Sequence, residues 1–142
     1  MNKEEILKSI SSNPAFFLGT VDGDKPRVRG MLLYKADENG IIFHTASSKQ
    51  LYDQLLKNPN AELCFNCNGT QIRISGQLEI IDDNALKDEI YDHPSRKFLH
   101  VWRESGTLKD YYKDLVVFSL KHGTATVWTM ADNFAEKLYI NL

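Results

Sequence analysis

The sequence predicts a mainly β protein, an antiparallel barrel with peripheral helices packed outside it. Three observations predict this. Seven short stretches are either continuously apolar or alternate apolar with polar residues. Glycine turns at Asp22-Gly23, Asn39-Gly40, Asn68-Gly69 and His122-Gly123 separate neighbouring stretches. Helical periodicity is confined to brief segments that stop at Asn-Pro or His-Pro.

In chain order, Asn2 and Glu5 have capping-box spacing before the apolar stripe Ile6, Leu7 and Ile10, which predicts a helix of about ten residues that Asn13-Pro14 ends. Ala15 to Val21 reads as a buried strand. The second strand, Arg27 to Tyr34, places Arg27, Arg29, Met31 and Leu33 on one face and Val28, Gly30, Leu32 and Tyr34 on the other. Ile41 to Thr45 is the third strand. A helix is expected from Ser48 to Lys57, ended by Asn58-Pro59. Ala61 to Phe65 is the fourth strand. The fifth has Ile72, Ile74, Leu78 and Ile80 on one face, with Gly76 as a bulge or bend. Asp82-Asp83 can cap a helix through about Asp92, and Ser95 to Arg103 reads as another. Leu115 to Lys121 and Thr124 to Met130 complete the strands. With 142 residues, no internal repeat and no linker, a single domain over 1–142 is expected, with a partly helical insertion at about 82–114.

With 42% hydrophobic and 25% charged residues, the composition is that of an ordinary globular protein. A net charge of −2 argues against a dedicated nucleic-acid binder, although antiparallel barrels with exposed aromatics do bind single strands. The charged opening Met1-Asn2-Lys3-Glu4-Glu5 lacks a signal-peptide core, and no run approaches the ~20 apolar residues of a membrane span, so the expected location is cytoplasmic and away from the membrane. Cys64 and Cys67 form a C-x-x-C within a strand and its turn. Residues three apart on a strand face opposite sides, and no second ligand pair lies nearby, so a structural, reduced role is expected. No Ser-His-Asp set or carboxylate pair points to hydrolysis.

Two features carry potential chemistry. Phe43-His44-Thr45-Ala46-Ser47-Ser48-Lys49-Gln50 runs from strand to helix, with hydroxyls and an ammonium where unpaired backbone N–H groups are expected. It reads either as an ordinary capped surface helix, with Ser47 and Gln50 in capping-box spacing, or as a phosphate site at Ser47–Lys49. The arginines of the second strand read either as solvated groups on an edge or, with Gly30 beside them, as the wall of a ligand site.

Four segments together resemble the flavin-mononucleotide-binding split barrels related to pyridoxamine phosphate oxidase. They are Pro26 to Tyr34, Ile42 to Lys49, Asn58 to Leu63 and Thr70 to Gly76, in that order, and the likeness is best over residues 14 to 81. The resemblance implies a split barrel of antiparallel Greek-key type, and a homodimer with FMN at the subunit interface. It implies that Arg29, Gly30 and Met31 form the side of the site and that Thr45, Ser47, Ser48 and Lys49 hold the phosphate. His44 takes a place where the family often has an aromatic residue beside the flavin. Gln71 would reach the flavin from the other subunit, and Trp128 would close over the ring. The activity implied is an FMN-dependent oxidoreductase of a small molecule, with NAD(P)H as a possible electron donor. The alternative is a flavin- or haem-binding stress or sensor protein without turnover. His44 is a candidate proton donor, or else a structural neighbour of the flavin or core. Two departures stand out. Tyr34 replaces the lysine that ends the second strand of the oxidases, and the tail Glu136-Lys137-Leu138-Tyr139-Ile140-Asn141-Leu142 lacks their Arg-x-His. Flavin binding without vitamin-phosphate oxidation is therefore expected, close to the stress-protein and nitroimidazole-reductase branches.

Overall fold

The structure, a computed structural model, describes every residue from Met1 to Leu142. Helix α1 (Lys3–Ser12) starts where the Asn2 side chain accepts the Glu5 N–H at 2.8 Å, and it buries Ile6 and Ile10. Strands β1 (Ala15–Asp22) and β2 (Lys25–Leu32) form a hairpin around Gly23, whose φ of 64° suits a residue without Cβ. β3 (Lys35–Asp37), β4 (Gly40–Ala46), α2 (Gln50–Lys57), β5 (Asn60–Cys67), β6 (Thr70–Gln77) and β7 (Glu79–Ile80) follow. The helical segment comprises α3 (Asn84–Asp92), a 3-10 turn at Pro94–Arg96, α4 (Phe98–Glu104) and α5 (Tyr111–Asp114). β8 (Leu115–Leu120), β9 (Thr124–Trp128) and β10 (Ile140–Asn141) close the chain.

The ten strands form two antiparallel sheets, of order β10-β9-β6-β5-β1-β2 and β3-β4-β8-β7. Their inner faces share one core, in which Phe16, Leu18, Phe65, Ile72 and Ile74 of the first sheet meet Ile41, Phe43, Phe118 and Leu120 of the second. Phe16 stacks on Phe65 at 4.8 Å and meets Phe43 edge-on at 5.4 Å. A second core lies on the far side of β4 and β8, where Ile42, Leu115 and Val117 meet Ile90, Leu99, Leu108 and Tyr111. β8 is buried along its whole length because both cores use it.

No hydrogen-bonded ladder joins the two sheets; the chain passes between them instead. This changes three expected boundaries. The second strand ends at Leu32 rather than Tyr34, because Leu33 N–H bonds Pro14 O in one sheet and Tyr34 N–H bonds Ile42 O in the other. The fifth strand ends at Gln77, after which Glu79 and Ile80 pair with β8. Gly76 is no bulge: it stays in register opposite Ala61, and a Cβ there would sit 3.3 Å from the Leu120 side chain. The short strands β3, β7 and β10, absent from the sequence reading, exist because a neighbouring strand supplies their partners. Cys64 is partly exposed, whereas Cys67 is buried near Ser9 O, so the two thiols take opposite faces of β5.

Candidate functional site

The turn between β4 and α2 differs in detail from the capping box expected there. Ser47 N–H bonds Asp114 O at 2.9 Å and Lys49 N–H bonds Ala46 O at 3.0 Å, which pushes the helix start to Gln50. Lys49 therefore occupies the N-cap, with extended backbone and no side-chain cap bond. A lysine has no acceptor to offer, so the first-turn N–H groups of α2 lack a side-chain cap.

This uncapped end opens on a groove of about 530 Å³. Arg29, Gly30 and Met31 of β2 line one side; Thr45, Ser48 and Lys49 line the other, with Gln50 and Leu51 at the helix start. β2 is the outer strand of its sheet, so the groove lies along a free edge. The lining contains two cations and no acid. The four ion pairs of the chain use Arg27, Lys35, Arg73 and Lys121, so Arg29 and Lys49 are both without a carboxylate partner. A larger recess of about 620 Å³ lies near the other end of β4, but its lining includes Glu38, Asp83 and Glu89 as well as Lys3, Lys35 and Lys121, so its formal charges balance.

Arg29 is held from behind. One terminal nitrogen donates to Thr20 Oγ1 at 2.7 Å and to Leu18 O at 3.3 Å; the other donates to Gln54 Oε1 at 2.6 Å. Thr20 also donates to Gln54 Oε1 at 2.8 Å. Burial, and then the charge of Arg27, lower the Arg29 pKa from its ordinary value; a guanidinium remains charged at neutral pH regardless. Gly30 has no positive φ, and a Cβ built on it would meet nothing within 4 Å. Neither turn geometry nor internal packing calls for glycine there, which leaves approach from outside the chain.

The structure thus brings together Arg29, Gly30, Met31, Thr45, Ser48 and Lys49. Ser47 lies on the turn but does not line the groove. His44 points to the second core, because it alternates with Thr45 along β4. Its Nε2 accepts from Arg96 Nε at 2.8 Å, and its ring centroid is 6.3 Å from that of Phe98. Desolvation, then the charge of Arg96, push its pKa down to about 4. His44 is therefore neutral near pH 7 and faces away from the groove, which corrects the expectation of a proton donor in favour of a core neighbour. Gln71 and Trp128 are opposite each other across β6 and β9, outside the groove. Three strand spacings separate β2 from β6, roughly 14 Å.

Thr20, Gln54 and Arg96 were missed by the sequence reading. Thr20 and Gln54 did leave a signal, since each is a polar residue in an apolar phase: Thr20 after Phe16 and Leu18, Gln54 between Leu51 and Leu55. Arg96, only 1% exposed and without a carboxylate partner, left none.

Comparison with known proteins places the chain in a family. The family described as Pyridoxamine 5'-phosphate oxidase matches residues 3–133. The chain belongs to the pyridoxamine 5'-phosphate oxidase family. Among curated members, a pyridoxine/pyridoxamine 5'-phosphate oxidase of Sinorhizobium fredii is 26% identical over 133 residues, which are 88% of this chain and 65% of that one. The chain thus spans less than two thirds of the length of such oxidases. Solved structures share the fold of this family. A NimC/NimA family protein from Clostridium acetobutylicum superposes with a TM-score of 0.73 at 21% identity, covering 98% of this chain and 92% of that one. A general stress FMN/FAD binding protein from Xanthomonas citri gives 0.69 at 21% identity, covering 89% and 87%.

Proposed function

We propose that the chain binds FMN in the groove between β2 and α2, and acts on a small molecule as an FMN-dependent oxidoreductase. One observation carries the reading: Arg29 and Lys49 line the same groove beside Thr45, Ser48 and an uncapped helix start, and neither cation has a carboxylate partner. A dianionic phosphate suits such a set of donors. Gly30 leaves room for a flat ring to lie against the backbone of β2. When bound, FMN would supply two-electron chemistry, with NAD(P)H as the proposed donor. The protein would bind the phosphate through Ser48, Lys49 and the α2 N–H groups, and would hold a cation at Arg29. His44 does not move a proton in this scheme.

The same reading includes a homodimer. Phe17, Val28 and Leu32 are 62%, 69% and 40% exposed on the outer face of the six-stranded sheet. They lie beside a free edge that a monomer would leave open. Gln71 and Trp128 share that face, so a second copy is what would bring them to the groove. A binding protein without turnover is the second reading, favoured by the lack of any His, Asp, Glu, Cys or Tyr among the groove's lining residues.

Spectroscopy decides. The purified protein should be yellow with a flavin spectrum, and NAD(P)H with a nitro compound or quinone should bleach and restore it. A flavin that binds and never cycles across such a panel supports the binding reading. A colourless protein that FMN does not stabilise would overturn both.

A further inference from the structure

Arg29 is gripped only by neutral groups. Its partners are the Thr20 hydroxyl, the Gln54 carboxamide and the Leu18 carbonyl, at 2.7, 2.6 and 3.3 Å. Gln54 is 8% exposed and Thr20 3%, so both are buried against the sheet. Gln54 Oε1 accepts from Arg29 and Thr20 together, which leaves its amide orientation fixed. The Arg27 guanidinium is the neighbouring charge that acts on Arg29, and it is of like sign. An arginine half-buried in this way is commonly served by a carboxylate, whose charge-assisted bonds are roughly twice as strong as neutral ones. A glutamate is sterically equivalent to Gln54 and would bind Arg29 more tightly. It would also cancel the charge.

We infer that Thr20 and Gln54 are positioning residues that form a charge-neutral clamp: they fix the Arg29 guanidinium at the edge of the groove while leaving its positive charge for an anionic group of the ligand. This rests on the anion-binding reading of the groove. Three elements contribute, since Thr20 lies on β1, Arg29 on β2 and Gln54 on the second turn of α2. Gln50 and Leu51, one turn earlier on the same helix, line the groove itself. The helix that presents its uncapped N–H groups to the groove therefore also sets the arginine. The two halves of the anion site keep one relative position because one rigid helix joins them.

The test uses the full chain and the variants Gln54→Glu, Gln54→Ala, Thr20→Val and Thr20→Ser, each checked for fold by circular dichroism and Tm. The first readout is the exchange and rotation of the Arg29 Nη–H groups, the ones that make the clamp bonds, by low-temperature NMR without ligand. Gln54→Glu should leave the guanidinium restrained, Gln54→Ala and Thr20→Val should free it, and Thr20→Ser should restore it. The second readout is affinity for FMN and for riboflavin. Gln54→Glu should weaken FMN by at least about tenfold, because the new carboxylate neutralises Arg29 without releasing it. An equal loss for riboflavin would place the anionic group on the ring, and a loss for FMN alone would place it on the phosphate. If the wild-type protein fails to bind FMN, the flavin reading falls by itself, and inorganic pyrophosphate replaces FMN as the probe, read at the Arg29 Nη–H groups. A pyrophosphate shift present in the wild type and absent in Gln54→Glu supports the clamp. Three results overturn it: a freely exchanging Arg29 in the wild type, FMN affinity in Gln54→Glu within about twofold of the wild type, or no response of Arg29 to either probe.

Discussion

Replacing Lys49 by alanine is expected to separate two flavins that differ by one phosphate. Lys49 is exposed, makes no side-chain cap bond and belongs to none of the ion pairs. Its removal should therefore leave the stability of the free protein within about 0.5 kcal/mol of the wild type. Against a phosphate the same side chain supplies a charge-assisted contact worth roughly 1.5–3 kcal/mol. That corresponds to a loss of roughly tenfold to a hundredfold in FMN affinity. Riboflavin lacks the phosphate and should change by less than about twofold. Flavin fluorescence quenching, repeated from low to physiological salt, measures both affinities. The FMN loss should shrink as salt rises, because the contact is partly solvated. Equal affinities of the wild-type protein for FMN and riboflavin would show that the phosphate cradle is misplaced, as would parallel losses in Lys49→Ala.

Other perturbations probe different parts of the argument. In Gly30→Val the new Cβ has no internal atom within 4 Å to meet, so the free protein should fold normally while flavin binding is lost; unchanged binding would mean that no ligand lies against β2. Phe17→Asp or Val28→Glu puts a charge on the outer sheet face, and sedimentation should then show a dimer converted to monomer with FMN affinity lost; a monomeric wild type would remove the dimer. His44 has a folded pKa of about 4 against an unfolded value of 6.5. Below pH 6.5 the unfolded chain takes up a proton that the folded one refuses, so stability falls by up to about 1.4 kcal/mol per unit until the pH reaches the folded value. Above pH 6.5 this contribution is fully present. NMR of the His44 ring in the folded protein, read together with urea unfolding, tests it, and a ring that titrates near 6.5 would refute it.

Much of the architecture was legible because it is local. The turn residues, the alternation of β6, the Asn2 cap and the proline stops depend on neighbours a few positions away, whereas β1, read as a buried strand, leaves Phe17 exposed on its outer face. The candidate site was legible through the order of its four segments, and six of its ten expected residues share the groove. Misreadings occurred where the chain changes sheets. Nothing in Leu33-Tyr34 or Leu78 marks the crossing, since each residue is apolar or aromatic and fits a continuing strand. The crossing exists because Pro14, Pro59 and Ile42 offer carbonyls from other elements. His44 stayed open for a related reason: alternation places it opposite Thr45, but the sequence does not say which face of β4 meets the groove and which meets a second core.

By itself the sequence determined where the longer strands and helices lie, where the turns fall, and that hydroxyls and a lysine follow the third strand. Those outcomes follow from backbone sterics, side-chain periodicity and the missing N–H of proline. Only the tertiary structure decided that Lys49 rather than Ser47 occupies the helix cap, that Arg29 is bound by neutral Thr20 and Gln54, and that Arg96 reaches His44 across 52 residues of sequence. These depend on sheet order and helix placement, which bring distant polar groups within hydrogen-bond range and set which charges remain uncompensated. In this protein the two cations that line the groove, Arg29 and Lys49, are both left without a carboxylate partner.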